Sequence, residues 1–244
     1  MRRLVFLHGF TQTHHHWHDV AHRLATEDDA TTLAFVDLPG HGTSTAEVDG
    51  GIDTIGQRLV DLAGSGTWIG YSMGGRVGLV AAATGDPRIE RLVLLGATPG
   101  IVDDGERAER ARLDDARADR IEQSGVDAFL EEWLSMPMFA RLPSDPDALA
   151  ARRSNTAAGL AHSLRRHGTG AQRPLWDRLP TLRLPVLVLA GELDDKFVEI
   201  GLEMADLLPE AEFVAVPDAG HAAHIEAPGF VASAIDAWLR SVSD

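Results

Sequence analysis

Six short apolar runs punctuate the chain at residues 3–7, 33–36, 67–69, 91–95, 186–190 and 212–216, with helix-compatible stretches between them. Each run is rich in Val, Leu or Ile and is bounded by Gly, Pro or polar residues. Continuous apolar runs of this length suit strands buried on both faces, as in a parallel sheet. The intervening segments 53–63, 74–83, 197–208 and 228–241 carry helical spacing. Strand–helix alternation predicts an α/β fold, a mostly parallel sheet with helices on both faces.

The alternation stops between Thr98 and Arg183. That interval shows no strand pattern, but it contains helical segments at 106–123, 126–134, 146–153 and 155–167. A structureless loop of this length is rare inside a compact domain. Residues 99–182 are therefore expected to form a helical cap inserted over the carboxyl edge of a core made by residues 1–98 and 183–244.

Composition narrows the functional classes. The 244 residues fit one large domain, and 22 basic against 37 acidic side chains give a formal charge of −15. Such a balance repels nucleic acid. With no cysteine, thiolate metal sites and a thiol nucleophile are excluded. Arg2-Arg3 precede too short an apolar stretch for a secretory signal, and no run approaches a membrane span. The expectation is a cytoplasmic protein with no membrane partner, a monomer or small homo-oligomer. No dinucleotide fingerprint or phosphate-cradling glycine loop is present, so no cofactor is expected.

The chemistry concentrates at Trp68-Ile69-Gly70-Tyr71-Ser72-Met73-Gly74-Gly75-Arg76. Gly70-x-Ser72-x-Gly74 follows a strand and opens a helix, the context of a nucleophile elbow. A reactive serine needs a base, and the base an orienting acid. Asp194 and Asp195 follow the run 186–190, and His221 follows the run 212–216. Both positions lie just past strand carboxyl ends, where open α/β sheets place their sites. Ser72, His221 and Asp194 are thus the candidate triad, with Asp195 the rival acid. Phe10, at the end of the first strand, and Met73, after the serine, are placed to donate backbone amides to an oxyanion. Arg76 lies four residues after Ser72, so on a helix it faces the same mouth.

These motifs, with His8-Gly9-Phe10 and Asp37-Leu38-Pro39-Gly40-His41-Gly42, resemble the α/β-hydrolase fold over nearly the whole chain. Finer features resemble one member family, the 2-succinyl-6-hydroxy-2,4-cyclohexadiene-1-carboxylate synthases of menaquinone biosynthesis. They are Arg76, Glu106-Arg107-Ala108-Glu109-Arg110, Glu132-Trp133 before Pro137-Met138-Phe139, Arg153-Ser154-Asn155, Gly168-Thr169-Gly170-Ala171-Gln172 and Asp195-Lys196-Phe197.

The resemblance implies a lyase that eliminates pyruvate from a small polycarboxylate without hydrolysis. Arg76, Arg110 and Arg153 then stand as carboxylate-binding residues, since guanidinium forks match carboxylates bidentately and stay charged. Tyr71 and Trp133 are placed to hold the ring. Two rival readings share the fold: a hydrolase (carboxylesterase, lactonase or C–C bond hydrolase) and a non-catalytic ligand-binding protein. The intact triad residues argue against the second, and the triad alone does not discriminate against the first. His14-His15-His16, with His18 and His22, invites a metal reading; no metalloprotease spacing accompanies it, and helix-entry or rim roles are expected instead.

Overall fold

A computed structural model describes residues 2–26, 31–44 and 50–242. Its centre is a six-stranded sheet of order β2-β1-β3-β4-β5-β6. The strands are β1 (Arg2–Leu7), β2 (Thr31–Val36), β3 (Gly66–Tyr71), β4 (Ile89–Leu95), β5 (Val186–Gly191) and β6 (Ala211–Val216), and every pairing is parallel. The central strands β3 and β5 are buried along their whole length, as their unbroken apolar runs require.

Successive strand residues point to opposite faces, and the core divides accordingly. Val5, Leu7, Trp68, Leu92, Leu94 and Val188 pack on one face, under α2 (Ile52–Ala63), α3 (Met73–Ala82) and α7 (Asp195–Leu207). Leu4, Phe6, Ile69, Val93, Leu95 and Leu189 pack on the other, under α1 (His18–Thr26) and α9 (Pro228–Ser241). Trp17 is fully buried on that second face, and its indole N–H donates to the Leu7 carbonyl at 3.1 Å. A buried indole needs such a partner.

Between β4 and β5 no described residue lies in a strand. The chain forms α4 (Asp104–Leu134), α5 (Pro146–Arg153) and α6 (Ala157–His167), with one 3-10 turn (Pro137–Phe139) between α4 and α5 and two (Thr169–Ala171 and Trp176–Thr181) after α6. α4 is interrupted at Gly125, whose φ of 80° and ψ of 171° are far from helical. Ala118, Ile121, Phe129, Leu160, Ala161 and Leu164 of α4 and α6 form a third apolar cluster of their own.

α6 begins at Ala157 rather than at Asn155, where the spacing predicts its start. Thr156 caps it, its hydroxyl accepting from the Gly159 amide at 3.0 Å. Asn155 is committed elsewhere: its Oδ1 accepts from the Gly42 amide at 2.8 Å, and its Nδ2 donates to the carbonyls of Thr11 and Arg152 at 2.8 and 2.9 Å. This one buried side chain ties the helical insertion to two loops of the core.

The short helix α8 (Ala223–Glu226) leads into α9, and its Glu226 accepts from the amides of Gly220 and Ala222 at 2.7 and 3.1 Å. That pair of bonds shapes the loop carrying His221.

Candidate active site

β3 delivers the chain to Ser72 at φ 49° and ψ −107°, a conformation L-residues rarely adopt. The turn is tight enough that a Cβ at Gly74 would collide with the carbonyl of Leu7, and one at Gly70 would sit 2.5 Å from the Gly75 amide. Only glycine at both positions lets α3 start this close to the sheet. Met73 is the first residue of α3, so its amide has no acceptor within the helix.

Asp194 follows β5 and His221 follows β6. Their side chains meet, His221 Nδ1 lying 2.7 Å from Asp194 Oδ2. With a carboxylate as partner, Nδ1 carries the proton and Nε2 is left as the basic nitrogen. Asp195 heads α7 and is exposed, so the structure pairs His221 with Asp194 and not with its neighbour. The imidazole is buried beside the rings of Phe197 and Tyr71, at centroid distances of 4.6 and 5.3 Å. Tyr71 is itself buried, and desolvation holds its hydroxyl protonated well above the usual tyrosine range.

These groups line one cavity of about 310 Å³. Ser72, Asp194, His221, Phe10, Met73, Tyr71, Trp133, Arg76 and Arg110 all border it. The ring of Phe10 packs edge-on against Trp133, at 5.4 Å, beneath α4. The Trp133 indole nitrogen is buried without a hydrogen-bond partner among the described residues. The amide of Gly9 donates to Gln12 Oε1 at 3.1 Å, whereas the Phe10 amide has no acceptor among the described residues.

Arg153 is the exception among the predicted residues. It is exposed and pairs with Asp127 at 2.9 Å, and it does not border the cavity. Its neighbour Arg152 does, with only 4% of its surface exposed. Consecutive helix residues are turned by about 100°, so α5 can present only one of the two inward. Arg152 falls in phase with the half-buried Ala148 and Leu149, four and three residues earlier. The Arg153-Ser154-Asn155 match carries no information on that phase.

The cations differ in their partners. Arg76, 6% exposed, donates to Gln172 Oε1 at 3.0 Å and to the His167 carbonyl at 2.7 Å. Arg152 donates from Nη1 to Thr11 Oγ1. Among the described residues neither has a carboxylate partner. Burial lowers the pKa of each to about 10, which still leaves both charged at neutral pH. Arg110 and Arg117 share the buried carboxylate of Asp114, at 2.9 and 3.3 Å. Sequence reasoning missed Arg152, Gln12 and His167, all of which border the cavity.

The histidine-rich segment serves the scaffold. His14 bonds Asp37 through its ring and its amide, at 2.9 and 2.8 Å, and His16 forms a capping box with Thr13. His14, His15, His16, His18 and His22 do not border the cavity. Among the described residues no three His, Asp or Glu side chains converge as metal ligands would.

The chain matches a model described as the alpha/beta hydrolase family over residues 4–234. It is 36% identical over 244 residues to the 2-succinyl-6-hydroxy-2,4-cyclohexadiene-1-carboxylate synthase of Escherichia fergusonii, covering 97% of this chain and 93% of that one. The structure of MenH from S. aureus superposes with a TM-score of 0.93 at 34% identity, covering 100% and 95%. A thermophilic esterase from Thermogutta terrifontis, solved with malate bound, gives 0.82 at 26% identity, covering 100% and 91%.

Proposed function

The chain belongs to the alpha/beta hydrolase family and, within it, to the 2-succinyl-6-hydroxy-2,4-cyclohexadiene-1-carboxylate synthases, and from that membership we propose the reaction its site performs. The enzyme is a lyase that eliminates pyruvate from 2-succinyl-5-enolpyruvyl-6-hydroxy-3-cyclohexene-1-carboxylate, leaving the conjugated ring diene.

The observation that carries the substrate class is the pair of buried guanidiniums, Arg76 and Arg152, that border the Ser72 cavity with no carboxylate partner among the described residues. A buried unpaired cation is costly, and a bound carboxylate relieves that cost. An apolar acyl substrate would leave both charges uncompensated. In a chain of charge −15, cations converging on one pocket reverse the local field and draw in a polyanion.

The residues divide the chemistry as follows. Asp194 fixes the imidazole with its proton on Nδ1, so His221 Nε2 is free to take the Ser72 proton. Ser72 Oγ removes the ring proton next to the succinyl ketone. The electrons form a new ring double bond, the existing one shifts by one position, and the carbon–oxygen bond to the enolpyruvyl group breaks. The departing enol takes up a proton to become pyruvate. Negative charge that builds on the succinyl oxygen is met by the amides of Phe10 and Met73. Tyr71 and Trp133 wall the ring, and Arg76, Arg110 and Arg152 hold the carboxylates. No water enters the balance, so the same triad that serves ester hydrolysis acts here as a base. The expected setting is the cytoplasm; among the described residues no helix is long and apolar enough to cross a membrane.

The decisive assay supplies the enolpyruvyl substrate and a p-nitrophenyl ester in parallel. Rapid pyruvate release with weak ester turnover supports the lyase. Ester hydrolysis without pyruvate release makes the protein a hydrolase of the same fold.

A further inference from the structure

Gln12 belongs to none of the recognised motifs, yet it is 2% exposed and borders the catalytic cavity. The orientation of its amide is fixed by a donor that has no alternative role: the Gly9 N–H points at Oε1 from 3.1 Å. His224 Nε2 lies 3.3 Å from the same oxygen, so His224 carries its proton on Nε2. Both contacts fall on the oxygen. The NH2 group has no acceptor among the described residues. That nitrogen is not one of the sealed, unpartnered polar atoms, so it opens onto the cavity, where an acceptor on a ligand can meet it.

Its surroundings specify the acceptor. Thr11, the preceding residue, receives the Arg152 guanidinium on its hydroxyl, so Gln12 and Arg152 meet the cavity from linked positions. Both offer only donors, and one is a cation without a carboxylate partner among the described residues. Two donor groups with net positive charge select a planar anion over a neutral carbonyl.

We propose that the Gln12 NH2 group and Arg152 form one subsite that holds a carboxylate of the substrate, with Gln12 a substrate-binding residue. The identity of that substrate rests on the reaction proposed above. The oxygen of Gln12 has a separate task, holding the Gly9 amide away from the oxyanion position so that the Phe10 amide serves there.

Two substitutions separate the tasks. Gln12→Glu keeps an oxygen toward Gly9 and His224 but sets an anionic oxygen where the NH2 stood. Gln12→Met fills the same space with no donor. For each folded variant, steady-state pyruvate release gives KM and kcat, and calorimetric titration with 2-succinylbenzoate (the aromatic relative of the product) gives an affinity.

The subsite predicts a KM raised roughly ten-fold or more, in proportion to one charge-assisted hydrogen bond, with kcat changed far less. Weakened 2-succinylbenzoate binding assigns the subsite to a carboxylate kept in the product. A raised KM with unchanged 2-succinylbenzoate affinity assigns it to the carboxylate of the departing enolpyruvyl group. Wild-type KM and affinity in either folded variant overturn the proposal, whatever happens to melting temperature. If the wild-type enzyme releases no pyruvate but binds 2-succinylbenzoate in a Gln12-dependent way, the reaction assignment falls and the subsite stands.

Discussion

The Nδ1 atom of His221 lies 2.7 Å from the Oδ2 atom of Asp194, across a gap of 27 residues, while Asp195 points into solvent from the first turn of α7. The two aspartates are adjacent in sequence and separated by role. Asp194→Asn is expected to lower kcat for pyruvate release by about 10³–10⁴-fold, because an amide presents the imidazole with the wrong tautomer. Asp195→Asn should stay within about three-fold of wild type, a margin far smaller than the loss of a positioned base. Equal effects of the two substitutions would remove Asp194 from its assigned place.

Ser72→Ala takes away the atom that contacts the proton. Pyruvate release should fall at least as far as in Asp194→Asn, with 2-succinylbenzoate affinity preserved. Near-normal turnover by this variant would leave the serine without a part in the reaction.

Arg152 and Arg153 offer an internal comparison on one helix. Arg152→Ala loses a buried cation that faces the cavity, so kcat/KM should drop by about 10–100-fold, the range of a charge-assisted bond. Arg153→Ala loses an exposed pair with Asp127, and such pairs contribute little. Its kinetics and melting temperature should match wild type. The reverse ranking would show that α5 is turned the other way.

Acid should destabilise the protein well above the range where carboxylates titrate. Burial lowers the pKa of His8 to about 4, of His167 to about 3 and of His16 to about 2, and it holds His41 and His224 well below 6.5. Each is neutral in the folded state, while in the unfolded chain it titrates near 6.5. Below 6.5 the unfolded state therefore binds protons that the folded state refuses. Stability is fully present above that value and is lost as pH falls toward the folded pKa, by up to about 1.4 kcal/mol per histidine per pH unit. Asp37 acts only in a lower window: hydrogen bonds from His14 and Thr43 outweigh its desolvation and hold its carboxyl near 2. Its contribution is lost between 3.8 and about 2. Thermal melts from pH 7.5 to 5 should show a steep fall in Tm, shallower in His167→Gln. A flat profile across that range contradicts the burial of these rings.

Asn155→Ala should cost on the order of 1–3 kcal/mol, because it strands the Gly42 amide and the Thr11 carbonyl. Since Thr11 also receives Arg152, catalytic efficiency should fall together with stability. Chemical denaturation and pyruvate release measured on the same sample test that coupling. A variant that loses stability but keeps wild-type kcat/KM would place Asn155 outside the support of Arg152.

Much of the architecture was legible because it depends on backbone rules. Parallel strands announce themselves as unbroken apolar runs, and the Ser72 turn demands glycines at fixed offsets. His221 and Asp194 were found because sheets of this kind expose strand carboxyl ends. What escaped depended on tertiary neighbours. Gln12 gains its meaning from Gly9 and His224, the latter 212 residues away. The choice of Arg152 over Arg153 turned on the rotational phase of an eight-residue helix, too short for its polar stretch to show a clear stripe. The start of α6 was misread because Asn155 spends its side chain on the core instead of capping the helix.

The separate apolar cluster of α4 and α6 has a consequence for how such enzymes diversify. Because Ile121, Phe129 and Leu160 cluster apart from the layers flanking the sheet and meet the core chiefly through Phe10, most of the roof can be rewritten residue by residue while the chassis beneath keeps its shape. Selection acting on the roof alone is then able to reshape the upper wall of the cavity, leaving Ser72, Asp194 and His221 on the floor as common inheritance.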